Sequence, residues 1–288
     1  MPKEPVVIEA HGRHAQAVAF ASAGKRLVST GQDAAVRVWS VPALRPERAF
    51  TGHTKCVNAL SFSADEKLLV TGASDSTVRL WSFPEGKCLH VLEKQTQAAL
   101  GPDGHHVATI SAKGSIALHD AASGRELRVF EPVDKRTTCL AFSPNGSVLF
   151  VGGSGPIHRL SIPDGTKDGV QRGHEIGVAC LCVSPNGSIL ASSGADGTLR
   201  FWTIVGGDEV NRVALGAAGV FQLAFFPGGR RIAVSTDRAV AIHAVPDGDL
   251  VERYELPIKG VYGVAVSPDG RRLANAAADG RVRVWELD

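Results

Sequence analysis

The chain reads as all-β, a seven-bladed propeller of four-stranded antiparallel blades, on three observations. The first is a phrase ending in Trp that is written four times: Val36-Arg37-Val38-Trp39, Val78-Arg79-Leu80-Trp81, Leu199-Arg200-Phe201-Trp202 and Val282-Arg283-Val284-Trp285. The second is its spacing: intervals of 42, 121 and 83 residues are close to one, three and two periods of about 41. The third is that weaker copies fill the gaps: Ile116-Ala117-Leu118-His119, Ile157-His158-Arg159-Leu160 and Val240-Ala241-Ile242-His243. Seven units therefore span 288 residues. A period of roughly 40–45 residues holding several short strands is the signature of radial blades.

Unit 2 shows why each unit should hold four strands. Gly52-His53 opens a loop, and residues 57–62 alternate apolar and small side chains, as a half-buried strand does. Ser63-Ala64-Asp65-Glu66 is a turn, residues 68–72 form a second strand, and Asp75 sits in the next tight turn. Residues 77–81 form a third strand, and Pro84-Glu85-Gly86 turns into a fourth over 88–92. Other units punctuate at the same offsets, with Gly101-Pro102-Asp103-Gly104, Ser143-Pro144-Asn145-Gly146, Ser184-Pro185-Asn186-Gly187 and Ser267-Pro268-Asp269-Gly270 as first turns. Pro presets φ there, and Gly supplies the positive φ that such turns need. Pro163-Asp164-Gly165 and Pro246-Asp247-Gly248 repeat the last hairpin. Neighbours cover both faces of such a blade, which accounts for the Ala, Gly, Ser and Cys among the larger apolar residues. The last unit has only three strands before Asp288, so Val6-Val7-Ile8 is expected to supply its fourth. That pairing closes the ring and removes an open sheet edge.

Length alone would allow two domains. The repeat runs end to end without a linker, so residues 1–288 read as one domain. A chain of this size buries roughly 75% of its unfolded surface. Its 31 basic and 29 acidic residues are interspersed and leave a net charge of +2. No basic stripe argues for nucleic acid, and no acidic block argues for a tail. Five Cys without framework spacing point to reduced thiols and a cytoplasmic location. The N-terminal residues lack an apolar core, so no signal peptide is expected. The weakly polar run 213–229 holds Gln222 and Pro227 and is too short for a membrane span.

The marks Gly-His, then Asp, then Trp at fixed offsets resemble the WD40-repeat family, and the resemblance covers essentially all of the chain. Unit 1 carries His11, Ser29, Asp33 and Trp39, with Ala10 in place of the Gly; unit 2 carries His53, Thr71, Asp75 and Trp81; unit 5 carries His174, Ser192, Asp196 and Trp202. The resemblance implies that each set forms a buried hydrogen-bonded network. The residue after Trp is Ser40, Ser82, Thr203 or Glu286, so the family's name dipeptide is absent. Unit 7 keeps Asp279 and Trp285 but has Asn275 and no His; unit 6 keeps Asp237 with His243 in the Trp slot. Unit 3 has Thr109 with Lys113 and His119 in the Asp and Trp slots, and unit 4 is one residue short around Ser154-Gly155-Pro156. Three complete networks are expected.

The recurring Ser, His and Asp do not read as a hydrolase triad. A nucleophilic Ser needs to face substrate beside oxyanion donors. Here the hydroxyl is mid-strand, its expected partner is an indole N–H, and the set recurs in separate blades. Cys180 and Cys182 lie on one face, but Cys139 has the same repeat offset as Cys180, which marks a small core position; inert thiols are expected. His105-His106 reads as a solvated turn, and no Gly-Lys-Ser/Thr phosphate loop occurs. No metal and no cofactor is expected.

The axial mouth is the expected binding surface. Six residues back from the end of each first strand stand His14, Cys56, Lys94, Arg136, Gly177, Gly219 and Gly260. Two places later come Gln16, Asn58, Thr96, Thr138, Ala179, Phe221 and Tyr262. The first ring has no acid and one His, too little for paired carboxylates or a central metal. Phe221 and Tyr262, in the matched phrases Gly219-Val220-Phe221 and Gly260-Val261-Tyr262, either pack between blades or stand beside an open Gly floor as anchors, with Lys94 and Arg136 across the mouth. The sequence thus reads as a non-catalytic scaffold for a protein or peptide, with His14, Cys56, Lys94, Arg136, Phe221 and Tyr262 as its contact set. A hydrolase-like enzyme using the axial channel, where His14 and Cys56 sit in adjacent units, is the alternative. A subunit of a larger complex that binds through its side or lower rim is a third.

Overall fold

The computed structural model describes residues 4–287, apart from 132, 135, 217, 218 and 220. The reading of the extreme N-terminus falls partly on residues 1–3, and those of Val220 and Asp288 fall on these residues alone; to that extent they lie outside the described residues. The described residues form seven four-stranded antiparallel sheets and no helix. In each of the first six, four consecutive strands run from the innermost to the outermost. The inner strands of blades 1 to 7 are Ala15–Ala21, Val57–Phe62, Gln95–Leu100, Thr137–Phe142, Val178–Val183, Leu223–Phe225 and Val261–Val266. Each touches the inner strand of the next blade, and the last returns to the first.

Blade 7 is completed from the other end of the chain. Val6–Glu9 pairs antiparallel with Arg281–Glu286, placing Val6 opposite Val284 and Ile8 opposite Val282. Four first turns close as their residues dictate. Gly104, Gly146, Gly187 and Gly270 take φ between 69° and 73°, and Ser143, Ser184 and Ser267 each donate a hydroxyl to the Asn or Asp two residues on.

The core lies between blades. One cluster joins Val28, Val38 and Phe50 of blade 1 to Val57, Leu69 and Trp81 of blade 2; another joins Val240 and Ile242 of blade 6 to Val261, Leu273 and Trp285 of blade 7. Burial on both faces explains why the middle strands are almost wholly buried, whereas an outer strand such as Pro46–Phe50 hides only its last residue. Six inner strands bulge after their first residue, for example between Val57 and Ala59. A bulge leaves one residue unpaired and re-aims the side chains beside it.

Candidate functional site

Within the blades, the side chains of the expected networks meet in three places. In blade 2 the Trp81 indole donates to Thr71 Oγ1 at 2.9 Å, Thr71 Oγ1 lies 2.8 Å from His53 Nε2, and His53 Nδ1 lies 3.0 Å from Asp75. With Nδ1 donating to the carboxylate and Nε2 accepting from the hydroxyl, every group has a partner; this tautomer is assigned from the partners. Blade 5 repeats the chain through Trp202, Ser192, His174 and Asp196 at 2.8, 2.7 and 3.1 Å. Blade 1 repeats it through Trp39, Ser29, His11 and Asp33 at 3.0, 2.9 and 2.8 Å.

Electrostatics follow from this geometry. Burial lowers the basicity of His53, Asp75 offsets part of that, and the ring is held below the usual imidazole range. Burial opposes ionisation of Asp75, but hydrogen bonds from Thr54 N–H, Thr77 Oγ1 and His53 outweigh it and bring the carboxyl down to about 2. Asp196 reaches about 2 in the same way, through Thr198 and His174. Each Ser or Thr hydroxyl is held between two rings on a buried middle strand, so none is free to attack a substrate.

One participant went unassigned in the sequence. Arg37 Nη1 donates to Asp33 at 2.7 Å, Arg200 Nη2 to Asp196 at 3.4 Å, and Arg283 Nη2 to Asp279 at 2.5 Å. The signal was the Arg inside every Trp phrase, four residues after the Asp where the Asp is kept.

The axial channel holds a cavity of about 360 Å³. Gln16, Asn58, Thr138, Ala179, Phe221 and Tyr262 line it, together with Gln97 and Gln222. Six of the seven residues counted two places into the inner strands therefore face the channel. Of the expected contact set, only Phe221 and Tyr262 line this cavity. His14 stands beside them, its ring 5.7 Å from that of Tyr262. Arg136 lines a separate cavity between blades 3 and 4. Exposed Lys94 and half-buried Cys56 line neither. His14 and Cys56 have no hydrogen bond between them among the described residues. The Asp33 charge and, more strongly, burial push the Cys56 thiol up, away from the thiolate a nucleophile needs.

The two aromatic rings are not buried between blades. They meet edge to face, centroids 5.3 Å apart at 88°, and Phe221 is 40% exposed. The Gly floor is not open beside them. A Cβ at Gly219 would stand 3.0 Å from Phe221 Cζ, and one at Gly260 would stand 2.9 Å from Tyr262 Oη. The positive φ of these glycines, 107° and 81°, lets each ring fold back over the backbone two residues before it.

Among the described residues, the channel lining contains no carboxylate and no imidazole. Its thiols, Cys139 and Cys180, are pushed up by burial, Cys139 to about 12. Among the described residues, no group of three His, Cys, Asp or Glu could hold a metal ion. The channel can therefore offer amide and hydroxyl hydrogen bonds and an aromatic wall.

The repeat pattern described as WD domain, G-beta repeat, matches residues 3–40, 44–82, 124–155, 165–203 and 253–286, more than half of the chain. The two longest stretches outside it, 83–123 and 204–252, hold most of units 3 and 6, where His replaces Trp. No curated protein matches the chain. Among solved structures, the β-propeller domain of Cps50 (Swd1) from Myceliophteria thermophila superposes with a TM-score of 0.91 at 20% identity, covering 100% of both chains. That likeness is one of fold.

Proposed function

The chain belongs to the WD40-repeat family, and we propose that it acts as a non-catalytic scaffold whose axial mouth docks a protein or peptide partner. The observation that carries this reading is the edge-to-face pair of exposed Phe221 and half-buried Tyr262 on the channel wall. Aromatic anchors in partly desolvated surroundings dominate interface energies. The pair sits beside His14 and a polar lining of Gln16, Asn58, Gln97 and Gln222 that can hydrogen-bond an extended main chain. An apolar or Arg side chain of the partner would pack on the rings. A nearby acidic residue would meet exposed Lys94 or Arg136, while Cys56 forms part of the half-buried rim.

General acid–base or metal catalysis needs titratable groups converging on one reacting atom. The channel wall offers amides and hydroxyls instead, which favours docking over the hydrolase-like alternative. Five free thiols and no disulfide among them suit a cytoplasmic protein.

The test is the double change Phe221→Ala and Tyr262→Ala. Both side chains lie outside the blade cores, so thermal unfolding should stay close to that of the parent chain. Proteins captured from the native cell by the parent chain should be lost by the variant. Retention of the same proteins by a folded double variant would place the site elsewhere.

A further inference from the structure

The boundary between blades 3 and 4 differs from every other boundary in the ring. Five of the seven units place Asp in the turn after the second strand: Asp33, Asp75, Asp196, Asp237 and Asp279. Blade 3 has Lys113 there, and the residue that faces this turn from blade 4 is Arg136. At the boundary of blades 1 and 2 the corresponding residues are Asp33 and Cys56, close enough for the Asp33 charge to act on the thiol. The sign of the charge is thus reversed at one place in the ring.

A cavity of about 650 Å³ opens at this boundary. Thr96, Ser111, Lys113, Arg136 and Thr137 are among its lining residues. Neither Lys113 nor Arg136 forms an ion pair with another described residue. Asp134, the nearest acid in sequence, turns to the next loop of its own blade and accepts from Ser154 Oγ and Gly155 N–H. Two hydroxyl protons are also unclaimed. Ser111 Oγ accepts from Lys113 N–H at 3.3 Å and Ser115 N–H at 3.1 Å, and its own proton is donated to no other group among the described residues. Thr137 is 7% exposed, and its Oγ1 has no partner among the described residues. At the same register the inner strands of blades 1, 2, 5 and 7 begin with Ala15, Val57, Val178 and Val261, all apolar and buried. Blades 3 and 4 depart from this pattern with Gln95 and Thr137, both buried and each with a side-chain oxygen that has no partner among the described residues. An unpartnered buried hydroxyl is costly, and only Thr137 of the two lines the cavity beside the cations, so it is the one that calls for a ligand there.

We propose that this cavity is an oxyanion subsite for a phosphate monoester carried on a side chain of the docked partner. Two cations match a group that bears about −1.5 to −2 charge near neutral pH. The Ser111 and Thr137 hydroxyls add neutral donors, and the Arg136 guanidinium can engage two oxygens at once. A carboxylate would leave part of this donor set unused. The inference rests on the partner-docking reading for the source of the phosphate, but its residues are distinct from the aromatic wall.

The test is an amide-resonance titration at matched ionic strength. The probes are an acetylated, amidated Gly-Gly-phosphoserine-Gly-Gly peptide, its unphosphorylated form, and inorganic phosphate. The phosphopeptide should give saturable shifts centred on residues 111–114 and 136–138 and bind at least as tightly as inorganic phosphate. The unphosphorylated peptide should give none. Lys113→Asp, which restores the residue type of five other units, and Arg136→Ala should each weaken binding roughly tenfold, the scale of one charge-assisted contact. Thr137→Val should weaken it less, and the Phe221→Ala, Tyr262→Ala double variant should leave it unchanged. Both cations are exposed, so these variants keep the parent spectrum elsewhere. Saturable binding of inorganic phosphate with exclusion of the phosphopeptide would overturn the assignment to a partner side chain. Absence of saturation, or equal binding by Lys113→Asp, would overturn the subsite.

Discussion

Blades 2 and 6 carry one backbone on two different sets of side chains. In blade 2, Leu69 stands opposite Trp81, and a bulge follows at the Trp position. In blade 6, Ile232 stands opposite His243, with a bulge at the same position. The Trp81 indole feeds a chain of hydrogen bonds through Thr71 and His53 to Asp75. His243 instead turns Nδ1 to its own hairpin, 2.9 Å from the Gly248 carbonyl. Blade 3 lies between them: His119 Nε2 reaches Thr109 at 3.1 Å, and the slot beyond holds Lys113. The backbone ladder and the burial between blades therefore set the blade's shape. The network is an added lock that ties the entry loop, the second strand and the third strand together.

This contrast can be broken most forcefully at the seam of the ring. Blade 7 has Trp285 and Asp279 but no His in its network slot, and neither end of the buried Asn275 amide has a partner among the described residues. Its order depends on Val6–Glu9. Deleting the first nine residues strips a strand's backbone bonds and the packing of Ile8 against Val282 and Val284. A loss of about 2–4 kcal/mol is expected from those contacts, read as a lower midpoint of thermal unfolding. An unchanged melting curve would refute closure by the N-terminal strand.

A smaller effect separates the two kinds of blade directly. Asp75→Ala leaves His53 and Thr77 without their acceptor in a buried setting and should cost about 1–3 kcal/mol. Asp237→Ala should cost less than about 0.5 kcal/mol, the usual range for a side chain without such a network. Urea midpoints of the two variants measure the difference. Equal losses would show that the network contributes nothing beyond the ladder.

A separate effect is the response to acid. His53 and His174 titrate below their ordinary range when folded, so the unfolded chain binds protons first as pH falls through about 6.5. Stability contributed by the neutral rings is fully present above that value and declines below it. Asp75 and Asp196, at about 2 in the folded chain, add a second decline as pH falls from about 4 toward 2. Urea midpoints measured from pH 8 downward should be flat, then fall in these two windows. A rise in stability between pH 7 and pH 5 would contradict the assignment of neutral, buried rings.

Much of this was legible in the sequence because its marks are local. Pro-Asp-Gly and Pro-Asn-Gly fix turns through φ, and the His, Ser or Thr, Asp and Trp offsets survive any change in the packing around them. The channel was less legible. Counting back from the strand ends selected His14, Cys56, Lys94 and Arg136, but the bulge after the first strand residue interrupts simple alternation. Of those four, none lines the channel cavity, whereas Gln16, Asn58 and Thr138, two places later, do. A bulge has no strong sequence mark, so period-2 reasoning cannot locate it. The fold of Phe221 and Tyr262 over Gly219 and Gly260 was equally hidden, because it depends on the positive φ of the glycines and not on their small size alone.

Site-specific cross-linking tests the central claim that the partner docks at the axial mouth. A photoreactive p-benzoyl-phenylalanine would replace Phe221 on the channel wall in one variant and Val129, exposed on the outer strand of blade 3, in another. Irradiation in the native cell should give a discrete protein adduct at 221, absent at 129. An adduct at 129 with none at 221 would contradict docking at the mouth and place the partner on the side of the ring.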